Sequence, residues 1–520
     1  MANPLTNPTL AFAITGLLAT GTYLCTKLYH RRFKQNAHIP QLPPSFLWGH
    51  LMVFYEFTKR GIPDHAILAD MHETLGKPPI MLVDNWPVVP PMVLIASHEV
   101  AEQVSRPSKH FPQYGTPKAP SVDRINDEWK GVRRRFNPGF APQHLITLLP
   151  VIMEKTKPYL KAIDGFVSSG EDFPLDQLTT NLTFDVIGAV TMGEDMNAQE
   201  FASSGQDQLI NMFKEMIKTY GDDKLHAPWW LAPRVYLRRR RLGERISQHL
   251  RQIVRRNFDE MNSDAHGEVS SNRPRTILAL SLQEIESLTP QIMEETCDQL
   301  KTFLFAGHDT TSTTIVWSIY ELFRTPHALK AVRDELETLF GPGTGPQGSA
   351  TVEERMLAPE GRELIHRMTY ISAVIKEVLR LHPPAGSIRV SKPGSGLVVT
   401  TPQGEYNLDG NWIYLNHSII HRDRSVFGDT ADDFVPERWL QADDDASCPA
   451  SAWRPFERGP RSCIGTELAN IEARVIIAML VRRYEFIKVG LGEMDVDAGG
   501  QPIVDAKGQL KTKSELYSME

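Results

Sequence analysis

Apolar residues recur at helical spacing along most of this chain. The pattern is clearest over residues 145–166, 175–192, 290–324, 328–340 and 368–381, each predicted as a helix. Short apolar, β-branched runs at 80–83, 92–96 and 397–400 are predicted as strands. The expected fold class is therefore mainly α with small β-sheets. One predicted helix is unusually long. Thr289 reads as its N-cap, Pro290 suits its first position, and Thr325-Pro326 ends it, so it forms a rod of about 50 Å. Between two helices, residues 341–349 read as a loop containing Gly343-x-Gly345-x-x-Gly348. A dinucleotide fingerprint of that form needs a preceding strand and a following helix. Here it follows a helix and includes Pro346, so the match is read as accidental.

The N-terminus departs from this pattern. Residues 9–26 carry no charge, and as a helix they would span about 27 Å, the hydrocarbon thickness of a thin bilayer. Five threonines and two glycines dilute the stretch. Positive charge follows it, at Lys27, His30, Arg31, Arg32 and Lys34, rather than preceding it. That asymmetry favours an uncleaved single transmembrane helix over a cleaved signal peptide, with the rest of the chain on the cytosolic side. The expected division is an anchor with its basic flank over 1–36 and a catalytic domain over 37–520. Residues 40–44, rich in proline, would stiffen the junction.

Composition changes the picture by exclusion. The 520 residues are 41% hydrophobic and 23% charged, which rules out a polytopic membrane protein and a disordered chain. A net charge of −7 argues against nucleic acid as a partner. Four cysteines, Cys25, Cys297, Cys448 and Cys463, are too scattered for a disulfide framework or a zinc site.

Three short stretches carry candidate chemistry. Within the long helix, Ala306-Gly307-His308-Asp309-Thr310-Thr311-Ser312-Thr313-Thr314 is poor helix material. It reads either as a small-residue packing seam or as a locally opened helix beside a ligand, with an acid and an alcohol placed for proton transfer. Glu377 and Arg380, at i and i+3, share one helix face. Phe456-Glu457-Arg458-Gly459-Pro460-Arg461-Ser462-Cys463-Ile464-Gly465 bends at glycine and proline before a helix that starts at Thr466. Arg458, Arg461 and that helix N-terminus are expected to lower the Cys463 pKa, and such a thiolate can ligate heme iron.

The order and spacing of these stretches resemble the cytochrome P450 family of heme-thiolate monooxygenases. The family pattern F-x-x-G-x-R-x-C-x-G is matched over 456–465, E-x-x-R at Glu377 and Arg380, and [AG]-G-x-[DE]-T over 306–310. Pro436-Glu437-Arg438-Trp439 and Trp129-Lys130-Gly131-Val132-Arg133 also match. The resemblance implies a single cytochrome P450 fold behind the anchor, with heme b (iron protoporphyrin IX) held by Cys463 as axial ligand. It implies Asp309 and Thr310 as the oxygen- and proton-handling pair. Arg461, Trp129, Arg133 and Arg389 would hold the propionates, with Phe456 beside the cofactor. Glu377, Arg380 and Arg438 would form a structural charge network, and His421 would be a satisfied structural histidine. Glu457 stands where the family usually has a small or polar residue.

No flavin- or nicotinamide-binding module is recognised, so the expected partner is a membrane-bound NADPH-cytochrome P450 reductase, alongside O2 and a hydrophobic substrate. The basic runs 133–135 and 238–241 could meet an acidic partner or simply face solvent. Substrate-facing loops are expected at 112–126 and 209–230, and Trp229-Trp230 could touch a membrane. The texture resembles fungal enzymes of secondary metabolism at the endoplasmic reticulum membrane. Alternative readings are a heme-thiolate isomerase or dehydratase, an oxidative cyclase or coupling enzyme, and a heme sensor without turnover. Two glycosylation sequons, at Asn181 and Asn416, would stay bare in a cytosolic domain.

Overall fold

The computed structural model describes residues 8–60, 64–105, 127–200, 205–220, 232–265, 275–391, 393–440, 448–490 and 492–513. In chain order, the elements that position the site are helix α1 (Pro8–His30), strands β1 (Ile80–Val83) and β2 (Met92–Ile95), and helices α2 (Asp127–Phe136), α3 (Leu175–Met192), α4 (Pro290–Arg324) and α5 (Thr369–Leu381). Strands β3 (Ser387–Val390), β4 (Val398–Thr401), β5 (Gly404–Asn407) and β6 (Trp412–Leu415) follow, and helix α6 (Thr466–Arg483) closes the set. One sheet has the order β1-β2-β6-β3, with β2 and β6 parallel from Met92 opposite Trp412 and the other pairs antiparallel. The second sheet is the β4–β5 hairpin.

The long helix forms as expected. The Thr289 hydroxyl accepts from Ile292 N at 3.3 Å, Pro290 opens the first turn, and the helix stops before Pro326. The expected helix over 145–166 is in fact two, Pro142–Thr147 and Leu149–Ser169. Pro150 explains the break, because it lacks an N–H and its ring crowds the carbonyl four residues back. Within 341–349 the loop is shorter than expected, since a helix starts at Gly345. Its glycines serve packing: Arg482 Nη2 donates to Gly341 O and Gly343 O, both at 2.8 Å, and a Cβ on Gly348 would lie 2.8 Å from Gly343 O.

The main core joins α3, α4, α5 and α6 with the helices around them. α4 packs most extensively on α3, and small residues make this possible. A Cβ on Gly307 would sit 2.7 Å from both Cδ1 and Cγ1 of Ile187. Thr183 Oγ1 donates to His308 O at 2.7 Å, and Thr180 Oγ1 to Ser312 Oγ at 3.2 Å. Other hydroxyls bond back along the helix, Thr314 to Thr310 O at 2.9 Å and Ser318 to Thr314 O at 2.7 Å. α4 is helical throughout, so the packing seam is what forms and the opened helix is not.

α5 carries a fully buried pair. Arg380 Nη2 lies 2.8 Å from Glu377 Oε1, with neither side chain exposed. Arg380 also donates to the carbonyls of His421 at 3.0 Å, Asp433 at 2.8 Å and Ala431. Glu377 accepts from Val435 N, Arg438 Nε and Trp439 Nε1 at 2.9–3.0 Å. These bonds tie the segment from His421 to Trp439 beneath α5.

α1 presents Phe12, Leu17, Leu18 and Leu24 as exposed side chains. No helix among the described residues is long and apolar enough to cross a membrane, so the expected transmembrane span is not seen as such. Arg32, expected in the basic flank, is instead buried. It pairs with Asp84 and donates to Leu47 O at 3.0 Å.

Two outcomes follow from this packing. Arg380→Met strands the buried Glu377 carboxylate and lowers stability by about 3–5 kcal/mol, measured by denaturant unfolding. Gly307→Ala forces a methyl against Ile187 and costs about 1–3 kcal/mol, part of which is regained when Ile187→Val is added.

Candidate active site

The stretch 456–465 folds into a closed loop leading into α6. Gly459 takes φ +77°, Gly459–Arg461 forms a single 3₁₀ turn, and Cys463 N donates to Phe456 O at 2.8 Å. The Thr466 hydroxyl donates to Cys463 O at 3.0 Å. Cys463 is deep in the protein, yet its side chain is accessible because it lines a cavity of about 430 Å³. Burial pushes its thiol up; the Gly465 N–H and the Arg133 guanidinium oppose this without overcoming it. The expected lowering by Arg458 and Arg461 does not occur. Arg458 pairs with Glu102 at 2.9 Å, and Arg461 lies over the Trp129 ring, 4.2 Å from its centroid.

α2 contributes the next wall. Arg133 Nη1 donates to Ser462 O at 3.0 Å, which pins the helix to the cysteine loop. Arg135 stands 3.9 Å from Glu295, and within the basic run 133–135 only Arg134 is exposed. In the second run, Arg238 pairs with Glu215 at 2.8 Å and Arg239 donates to Thr219. The α4 wall is formed by Ala306, Gly307, Thr310, Thr311 and Thr314. Thr310 Oγ1 donates to Ala306 O at 2.8 Å.

The cavity thus brings together Cys463, Arg461, Trp129, Arg133, Phe456 and Thr310. It does not include Asp309, which is exposed on α4, nor Arg389, which faces Glu457 at 3.8 Å. Glu377, Arg380 and Arg438 form the buried network described above, away from the cavity lining. His421 is satisfied only in part: it is fully buried and its Nε2 accepts from Arg454 N at 3.0 Å, but its Nδ1 has no hydrogen-bond partner among the described residues. Asn416 is 6% exposed and caps the helix His417–Ile420, so its sequon is occupied by a structural task. Cys297 and Cys448 are inert by environment, each pushed up to about 11 by burial. The loop 112–126 and Trp229-Trp230 lie outside the described residues, and the first part of 209–230 is helix Gln208–Tyr220.

Sequence reasoning missed three lining or near-lining groups. His417 and Glu472 line the cavity, and Arg454 anchors Glu457 from behind. Glu472 is an acid inside a helix buried on nearly all sides, and burial alone holds its carboxyl well above the usual range. The available signal was an acid placed within the apolar run of α6.

The donor set suits heme. A thiol reaches the cavity, much of the lining is apolar, and both ring nitrogens of His417 are buried without a hydrogen-bond partner among the described residues. The family profile described as Cytochrome P450 matches residues 71–499. The cytochrome P450 monooxygenase acrF of Aspergillus aculeatus is 29% identical over 78% of this chain and 83% of its own length. The cytochrome P450 monooxygenase polC of Polytolypa hystricis is 29% identical over 94% of this chain and 90% of its own. The bifunctional cytochrome P450/NADPH--P450 reductase of Gibberella moniliformis is 34% identical over 39% of this chain and 16% of its own. A profile match of that extent contains every residue of the cavity lining, and the chain accordingly belongs to the cytochrome P450 family of heme-thiolate monooxygenases.

Proposed function

We propose that this chain inserts one oxygen atom from O2 into a hydrophobic small molecule, a fungal secondary metabolite, with electrons from NADPH delivered by a separate reductase. The observation that carries the reading is that Cys463 and Thr310, more than 150 positions apart in sequence, line one cavity. Heme bound through a thiolate supplies the oxygen-activating redox chemistry. Cys463 would hold it through its thiolate, and Trp129, Arg133 and Arg461 would hold its carboxylates through N–H donors. Phe456 packs at the base of the site. Val132, Phe136, Phe140, Ile187, Phe303 and Leu379 exclude water from the cavity and select an apolar substrate.

Thr310 has its own proton committed to Ala306 O, which leaves its lone pairs facing the cavity free to accept from water. Asp309, exposed on the same helix, is the solvent end of this proton path rather than a member of the cavity. This acid–alcohol pair favours oxygenation over an isomerase or dehydratase. The NADPH-dependent reductase follows the pairing named in the Gibberella relative, and the metabolic role follows the fungal monooxygenases. We place α1 in the endoplasmic reticulum membrane, with the catalytic part facing the cytosol. Exposed Phe12, Leu17, Leu18 and Leu24, followed by Lys27, His30, Arg31 and Lys34, support that attachment.

Cys463→Ala is expected to abolish the thiolate signature in the reduced carbon monoxide spectrum; a persisting signature ends the assignment. Thr310→Ala is expected to keep substrate binding while diverting reducing equivalents to peroxide. Coupling measured as product formed per NADPH consumed checks this, and unchanged coupling removes Thr310 from the path.

A further inference from the structure

The cluster around Glu457 is used by none of the roles above. Glu457 sits at φ +57°, a left-handed backbone that a non-glycine residue rarely adopts. This geometry turns its carboxylate inward, where only 6% of the side chain is exposed. Oε1 is fully engaged: it accepts from Arg454 Nε and Arg458 N at 3.0 Å and from Ser105 Oγ at 3.2 Å. Oε2 is buried and accepts no hydrogen bond among the described residues. Arg389 Nη2 and His417 Nε2 each stand 3.8 Å from it, ionic neighbours beyond hydrogen-bond reach. Burial would raise this carboxyl, but His417 and Arg454 hold it well below the usual range, so it is a fixed anion.

The donors around it are in surplus. Both ring nitrogens of His417, Nε of Arg389 and Nη1 of Arg454 are buried without a hydrogen-bond partner among the described residues. Unmet buried donors are destabilising, and two guanidinium groups share this single carboxylate. His417 and Glu457 both line the cavity. His421, neutral because its Nε2 accepts from Arg454 N, stacks on the His417 ring at 5.5 Å and fixes its plane. The arrangement is one acceptor short on its cavity side.

We propose that His417 donates a hydrogen bond to a carboxylate in the cavity, that this carboxylate is a heme propionate, and that Glu457 stands behind the imidazole as a fixed opposing charge. The inference rests on the heme site proposed above. A substrate carboxylate would suit the same donors, and the test separates the two. A donor on the propionate draws negative charge from the heme edge and favours the ferrous form, whereas Glu457 opposes it.

The ferric–ferrous midpoint of the full-length, heme-loaded protein without substrate is the readout. His417→Phe is expected to shift the equilibrium toward ferric on the order of tenfold, the 59 mV of a one-electron couple. His417→Gln, which keeps a donor, stays near wild type, and Glu457→Gln shifts toward ferrous. General loosening of the site would move all three in one direction. A wild-type midpoint in the Phe variant, or equal shifts in Phe and Gln, overturns the proposal. A shift that appears only with substrate bound assigns the donor to a substrate carboxylate and also overturns it. Should the Phe variant not take up heme, His417→Leu against His417→Asn makes the same comparison. A wild-type protein without the thiolate spectrum would instead defeat the heme site itself.

Discussion

The buried contact between Glu377 and Arg380 is the constraint on which the site's geometry rests. Two opposite charges removed entirely from water are tolerable only if every remaining donor and acceptor is met. Here the neighbours meet them. Arg380 holds His421 O, His421 receives the Arg454 N–H, Arg454 holds Glu457, and Glu457 belongs to the loop that presents Cys463. An unbroken series of bonds therefore runs from the middle of α5 to the loop that presents Cys463. The same pair also receives Val435, Arg438 and Trp439. A surface Glu–Arg pair at the same spacing would be worth a few tenths of a kcal/mol. Burial turns it into a frame.

A second division of labour lies between cations that act through their charge and cations that act through their shape. Of the arginines near Cys463, Arg458 is paired with Glu102, and Arg461 lies over the Trp129 ring. Of these arginines only Arg133 acts on the thiol, beside the Gly465 N–H, and it does so while bonded to Ser462 O. The loop is thus a poor place for an isolated thiolate. Ligation, which deprotonates a thiol outright, is what suits this environment.

The legibility of the chain in sequence follows the same physics. α3 and α4 were readable to the residue, because caps, prolines and the terminal Gly193 mark their ends. Motif spacing located Cys463, Thr310 and the Glu377–Arg380 pair. Three things were not readable. Pro150 split one apolar pattern into two helices. β3, β5 and β6 are too short and mixed to carry a period, and their strand character comes from pairing in the sheets. His417 and Arg454 acquire meaning only because the fold sets them beside Glu457. In the glycine-threonine run of α4, local propensity suggested weakness, while tertiary packing against Ile187 required small residues.

Arg32 has a bearing on how substrate arrives. It joins the end of the apolar N-terminal helix to Asp84, one residue past β1, with both side chains out of water, and Asn36 bonds Asn411 at 3.1 Å just beyond. The connection behaves as a bracket, not a leash. With α1 lying in a bilayer as proposed, the body of the enzyme would be held at one inclination to the lipid surface. A greasy molecule dissolved in that surface would then meet the same face of the protein at every encounter. Under that proposal, delivery would be a matter of fixed orientation, set by one buried ion pair far from the chemistry.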